Sequence, residues 1–117
     1  MTTYVNGPRI AFNHERLTTI TASTGLTESE YAVGQTTTGA YDLIWRAQEV
    51  HITIEVAAIK YTVDGTTPTT TATTGIGHIA YPGDVIEIHG YQNITQFRAI
   101  NEVASNGAVL QITYFRG

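Results

Sequence analysis

The stretch Val50-His51-Ile52-Thr53-Ile54-Glu55-Val56-Ala57-Ala58-Ile59-Lys60-Tyr61-Thr62-Val63-Asp64-Gly65-Thr66-Thr67-Pro68-Thr69 decides the fold class. Val50, Ile52, Ile54 and Val56 alternate with His51, Thr53 and Glu55, the period of two that a half-buried β-strand requires. Ala57-Ala58 interrupts the pattern, as a bulge or tight bend would, and Ile59, Tyr61 and Val63 resume it. Asp64-Gly65 then supplies a residue pair suited to positive φ, followed by Pro68 in a threonine-rich run that reads as an exposed loop over Thr66 to Thr74. Strand and turn succeed one another here with no helical period between them.

The same alternation recurs downstream. Ile79-Ala80-Tyr81 leads into Pro82-Gly83-Asp84, a turn by composition. Ile86 and Ile88 then oppose Val85, Glu87 and His89, and Gly90 ends that strand. Asn93 to Ile100 is predicted as a further strand, Ser105-Asn106-Gly107 as a turn and Ala108 to Phe115 as the last strand. In the last strand Ala108, Leu110, Ile112 and Tyr114 share one face, and Val109, Gln111, Thr113 and Phe115 the other.

Upstream the pattern begins near Leu43, after a loop over Gln35 to Gly39. Thr27-Glu28-Ser29-Glu30 fits a capped helical turn with Thr27 as N-cap and Glu30 at the third position, while a short strand from Glu30 to Val33 fits equally. Leu17 to Ser23 is rich in β-branched residues and closes at Gly25, so a strand is expected. Residues 1–16 carry Asn6-Gly7-Pro8 and little periodicity, which reads as an extended arm containing a turn. The expected organisation is an N-terminal arm over 1–16 and one domain over 17–117. That domain is all-β: an antiparallel β-sandwich, jelly-roll or immunoglobulin-like, or a small barrel.

Composition agrees and narrows the function classes. A chain of 117 residues is the size of one domain and can bury a core without staples. Threonine, β-branched and strand-favouring, fills 21 positions, while charged residues make up only 14%. The absence of cysteine excludes disulfides, thiol nucleophiles and Cys-based zinc sites. A net charge of -4, a single lysine (Lys60) and scattered arginines (9, 16, 46, 98, 116) argue against nucleic acid as a partner. Met1-Thr2-Thr3-Tyr4 has neither the basic start nor the apolar run of a signal peptide, and no stretch suits a membrane helix.

No catalytic motif stands in the chain. Ser23, Ser29 and Ser105 sit in turn-like or polar sequence without a Gly-x-Ser-x-Gly elbow, and Gly75-Ile76-Gly77 lacks the rest of a dinucleotide fingerprint. The best metal constellation is His51 and Glu55 on one strand face with Glu87 and His89 on another, which converge if those strands are neighbours. The simpler reading makes them the polar residues that alternation puts on solvent-facing strand surfaces. On that reading no catalytic, cofactor or metal residue is assigned, and His14 and His78 are solvated loop residues. Asn93-Ile94-Thr95 matches a glycosylation sequon with no export signal to accompany it. Tyr31, Tyr41, Trp45, Tyr81 and Tyr91 are the candidates for a sugar-stacking platform, or else core and interface aromatics.

Two resemblances meet on the opening stretch. Tyr61-Thr62-Val63-Asp64-Gly65-Thr66-Thr67-Pro68-Thr69 resembles the Tyr-Thr-x-Asp-Gly-x-x-Pro-Thr signature of the fibronectin-like module at the C-terminus of chitobiases, and implies strand–loop–strand geometry there. A wider pattern over roughly residues 43–117 combines that element with Pro82-Gly83-Asp84, Gly90, Phe97-Arg98-Ala99-Ile100 and Ile112-Thr113-Tyr114-Phe115-Arg116. It resembles the small virion proteins of tailed phages encoded among the head genes, a family that more often carries Arg at the position of Lys60. The N-terminal third has no counterpart in that pattern. The resemblance implies a structural, non-enzymatic protein made in the host cytoplasm and placed on the capsid surface. Its implied role is head decoration (cement), as a homotrimer bound to the major capsid protein. A carbohydrate-binding or adhesion module, or another virion component at the head–tail connection or tail, is the alternative. Within the turn itself, Gly65→Val is expected to lower stability by about 1 kcal/mol or more, measured by equilibrium urea unfolding.

Overall fold

The computed structural model describes residues 9–18, 20–33, 45–70, 75–103 and 107–116. Among them the strands are β1 (Ile10–Leu17), β2 (Thr24–Gly25), β3 (Ala32–Val33), β4 (Trp45–Arg46), β5 (Glu49–Glu55), β6 (Ile59–Thr62), β7 (His78–Ala80), β8 (Val85–His89), β9 (Arg98–Asn101) and β10 (Val109–Arg116). Two short helices accompany them, α1 (Glu28–Tyr31) and α2 (Tyr91–Gln96). One antiparallel sheet has the order β1-β10-β5-β8, a second the order β2-β9-β6-β7, and β3 and β4 pair separately. The chain is an all-β sandwich.

The pairing shows which kind. β1 pairs with β10, β2 with β9, β5 with β8 and β6 with β7, each pair nested inside the one before it in sequence. That is one long hairpin rolled so that successive pairs fall in opposite sheets, the order of an eight-stranded jelly roll. An immunoglobulin-like sandwich sets its first two strands side by side. Here β1 and β2 lie in different sheets, and α1, β3 and β4 occupy the connection from β2 to β5.

Alternation builds the core. Val50, Ile52 and Ile54 of β5, Ile86 and Ile88 of β8, and Leu110, Ile112 and Tyr114 of β10 point inward from the first sheet. They meet Ile59 of β6, Ala80 of β7 and Ala99 of β9 from the second, with Phe97 and Ile94 closing one end. The Tyr114 hydroxyl donates to the Glu15 carboxylate, which also accepts from the Thr27 backbone N–H at 3.2 Å and the Thr27 hydroxyl at 2.7 Å. Burial first, and the Glu15 carboxylate second, push the Tyr114 phenol far above its usual value. Thr27 therefore precedes α1 without capping it through its side chain. The two readings of this segment are each half realised, as a helical turn over 28–31 and then a strand over 32–33.

Several expectations are corrected. Ile10–Leu17 is an edge strand paired along its length with β10, so the boundary between arm and domain does not fall at residue 16; residues 1–8 lie outside the described ones. Among the described residues of 17–23 none beyond Leu17 is in a strand, although Ile20 is buried and its carbonyl accepts from Asn101 N–H at 2.8 Å. Of the two readings of the Ala57-Ala58 interruption, bulge or tight bend, the bend is the one realised, with the Ala57 N–H donating to the Glu55 carbonyl at 2.8 Å. Val56 turns out of the first sheet at φ 74, and the chain crosses to the second. Residues 91–96 are helical because Tyr91 and Ile94, three apart, both pack inward, and only residues 98–101 are strand. The expected loop over 35–39, the start of the pattern near Leu43 and the turn at 105–106 fall outside the described residues.

The loop after β6 is not merely exposed. Asp64 and Gly65 form the predicted turn, with Gly65 at φ 88 and the Thr66 N–H donating to Asp64 Oδ1 at 3.0 Å. The chain then folds back over the outer face of the second sheet. Thr69 and Ile76 bond to one another at 3.0 and 2.9 Å, and Pro68 is buried beside Lys60 and Gly77. Lys60 is buried under this cover, in a row between Ile79 and Ile100. Gly77 sits at φ 128, where a Cβ would come within 3.2 Å of the Tyr61 carbonyl oxygen and 3.3 Å of Pro68 Cβ. Gly77→Ala is expected to cost about 1–3 kcal/mol, read as a lowered urea midpoint with an unchanged m-value.

Candidate functional site

Two surfaces of the sandwich carry side chains that the fold itself does not use. The first is the outer face of the β1-β10-β5-β8 sheet. Register sets its polar residues in rows: His14, Thr113, His51 and Glu87 across one, and Phe115, Glu49 and His89 across the next. His14 spans Thr113 Oγ1 at 3.1 Å and Gln111 Oε1 at 2.8 Å, so it is a strand residue tied to its neighbours rather than a loop residue. His51 lies with its ring 4.6 Å from the Phe115 ring and its Nε2 2.5 Å from Glu49 Oε2.

Glu49 is the centre of this face. Its side chain is only 14% exposed, and Arg9 Nε at 3.4 Å, His51 Nε2 at 2.5 Å and His89 Nδ1 at 3.6 Å all approach it. His89 Nε2 reaches Glu87 Oε1 at 3.5 Å on the other side. Of the four residues singled out in the sequence, His51, Glu87 and His89 do come together. Glu55 does not: it lies at the far end of β5 opposite Val109, and accepts from Gln111 Nε2 at 3.3 Å. Glu49 takes its place. Counting two residues back from His51 would have found it, because residues 49 and 51 share a strand face.

The second surface is the rim formed by three connections at one end of the sandwich. The Gly83 N–H donates to the Ile54 carbonyl at 2.9 Å, holding the β7–β8 turn against the end of β5. The Glu102 N–H donates to the Ala58 carbonyl at 3.0 Å, bringing the segment after β9 to the same corner. Val56 (72% exposed), Tyr81 (58%), Val85 (58%) and Val103 therefore lie around one edge as exposed apolar side chains. A shallow cleft of about 340 Å³ lies elsewhere, lined by Thr62, Val63, Asp64, Thr66, Ile76, Gly77 and His78.

The tyrosines form no common platform among the described residues. Tyr31 is buried with its ring 5.8 Å from that of Tyr91, and the Arg46 guanidinium sits 5.1 Å from the Tyr91 ring centre. Tyr81 lies past the opposite end of β8, and Tyr41 and the Trp45 side chain fall outside the described residues. Ser23 and Ser29 have no histidine among their hydrogen-bond partners, and no described helix is long and apolar enough to cross a membrane. No protein-family model, curated relative or solved structure matches the chain.

At the mouth of the cleft, hydrogen bonds from the Thr66 backbone and side chain hold the Asp64 carboxyl below its ordinary value of 3.8. A depressed folded-state pKa contributes stability that is complete above the unfolded value and is lost as pH falls through the folded one. Asp64→Ala should therefore be less stable than wild type at pH 6, with the difference shrinking below about pH 3.8, as urea unfolding across pH 2 to 6 would measure.

Proposed function

We propose that the chain is a virion structural protein of the tailed-phage kind, a head decoration protein that self-associates as a homotrimer and binds the major capsid protein. The observation that carries this reading is the apolar rim on a sandwich whose own core is already closed. Val56, Tyr81, Val85 and Val103 add nothing to that core, and a grouped set of exposed apolar residues marks a contact surface rather than scattered surface chemistry. We assign the rim to the contact with the capsid shell.

Three further features support it. Jelly rolls are a recurring architecture of capsid-associated domains. The 14% charge content suits a surface largely covered by partners. The resemblance over residues 43–117 points to the same setting, and from it come the trimer, the virion location and synthesis in the host cytoplasm. On this reading the protein has no enzymatic activity and binds neither nucleic acid nor membrane. The carbohydrate-binding alternative would need a stacking surface that Tyr31, Tyr81 and Tyr91 do not build together.

The test pairs sedimentation of the purified chain with co-sedimentation on mature heads that lack the protein. The expected result is a species of three times 12.7 kDa and saturable binding to heads. Val56→Asp and Tyr81→Ser, both at exposed positions, should weaken head binding at least tenfold and leave the folded spectrum unchanged. A monomer that fails to bind heads would overturn the proposal, and retention on a glycan array would favour the alternative.

A further inference from the structure

We infer that the outer face of the β5–β8 pair is a binding site for one divalent first-row transition ion of the zinc class, held by Glu49, Glu87 and His89, with His51 orienting Glu49. The site is independent of the decoration reading. It stands on four side chains that register places on one face of two adjacent strands, His51 opposite Glu87 and Glu49 opposite His89.

The geometry suits such an ion. Glu49, Glu87 and His89 can each offer one ligand atom so that the three lie within 4.8 Å of one another, while His51 Nε2, 2.5 Å from the second oxygen of Glu49, is a hydrogen-bond partner that orients that carboxylate. Zinc bonds to nitrogen and oxygen of about 2.0–2.2 Å in a tetrahedral shell place neighbouring ligand atoms about 3.3 Å apart. His89 can offer one ring nitrogen to a given ion, either Nε2 at 3.5 Å from Glu87 Oε1 or Nδ1 at 3.6 Å from Glu49 Oε1, and either separation is close to that spacing.

The donor set selects the class of ion. An imidazole with two carboxylates suits zinc and its first-row neighbours, whereas calcium and magnesium take shells of oxygen. The four side chains differ usefully in mobility. Glu49 and His51 are held, the first by Arg9 at 3.4 Å and the second by the Phe115 ring, so part of the site is preorganised. Glu87 and His89 stand on the edge strand β8 with exposed side chains, so they can close by rotamer changes alone and leave a coordination position open to water or to a partner.

Titration of zinc chloride into the tag-free chain, followed by calorimetry in a non-coordinating buffer, tests the site. One ion per chain is expected, with no saturable uptake of calcium chloride. Glu87→Gln and His89→Ala, both exposed and neutral for the core, should each weaken binding at least about tenfold. Glu55→Gln, on the same strand face but at its other end, should leave binding unchanged. Absence of saturable zinc uptake, or equal affinity in the Glu87→Gln/His89→Ala double variant, would overturn the inference.

Discussion

Everything in this sandwich depends on β10 being paired on both sides. Leu110, Ile112 and Tyr114 face inward from a strand whose backbone is bonded to β1 along one edge and to β5 along the other. That double pairing fixes the register of the first sheet, and a one-residue slip would turn those three side chains outward. It also decides where the polar rows fall, because Thr113 sits between His14 and His51, and Phe115 lies opposite Glu49. The core and the outer face are two readings of one alignment.

The fold class was legible because alternation is a local property. Residues 50–54, 85–89 and 109–115 keep the period of two, and each is a strand with the expected face buried. Legibility ended where tertiary demands outweighed local preference. Ile94 and Thr95 favour strands, yet the residues around them wind into a helix so that Tyr91 and Ile94 reach the core from one side. Val56 fits the inward phase of β5, yet it lies in the crossover between sheets and points to solvent. Lys60, the sole lysine, is buried, and nothing in its own strand marks it so, because the loop that covers it reads only as a threonine-rich run.

The outer-face cluster shows the same division. That His51, Glu87 and His89 face away from the core follows from alternation alone. Which of them meet follows from how β5 aligns with β8, and no single segment contains that information. Register admitted Glu49 and excluded Glu55, although both stand two or four residues from His51 on the same face. Glu49 was hidden for a further reason: it begins its strand, before the first apolar residue that makes the pattern visible.

The nesting of pairs also has a consequence in time. β1 and β10 are partners about a hundred positions apart in the chain, and β2 must await β9 in the same way. Of the eight sandwich strands, only β6 and β7 are joined to the partner next in sequence, so the roll has one place to start and closes outward from it. During synthesis the edge of β1 stays open until the final strand leaves the ribosome, with its unpaired N–H and C=O groups presented to any other chain nearby. The low-periodicity, polar character of Asn13-His14-Glu15-Arg16 then takes on a protective value, because a charged edge is a poor template for another copy during that wait.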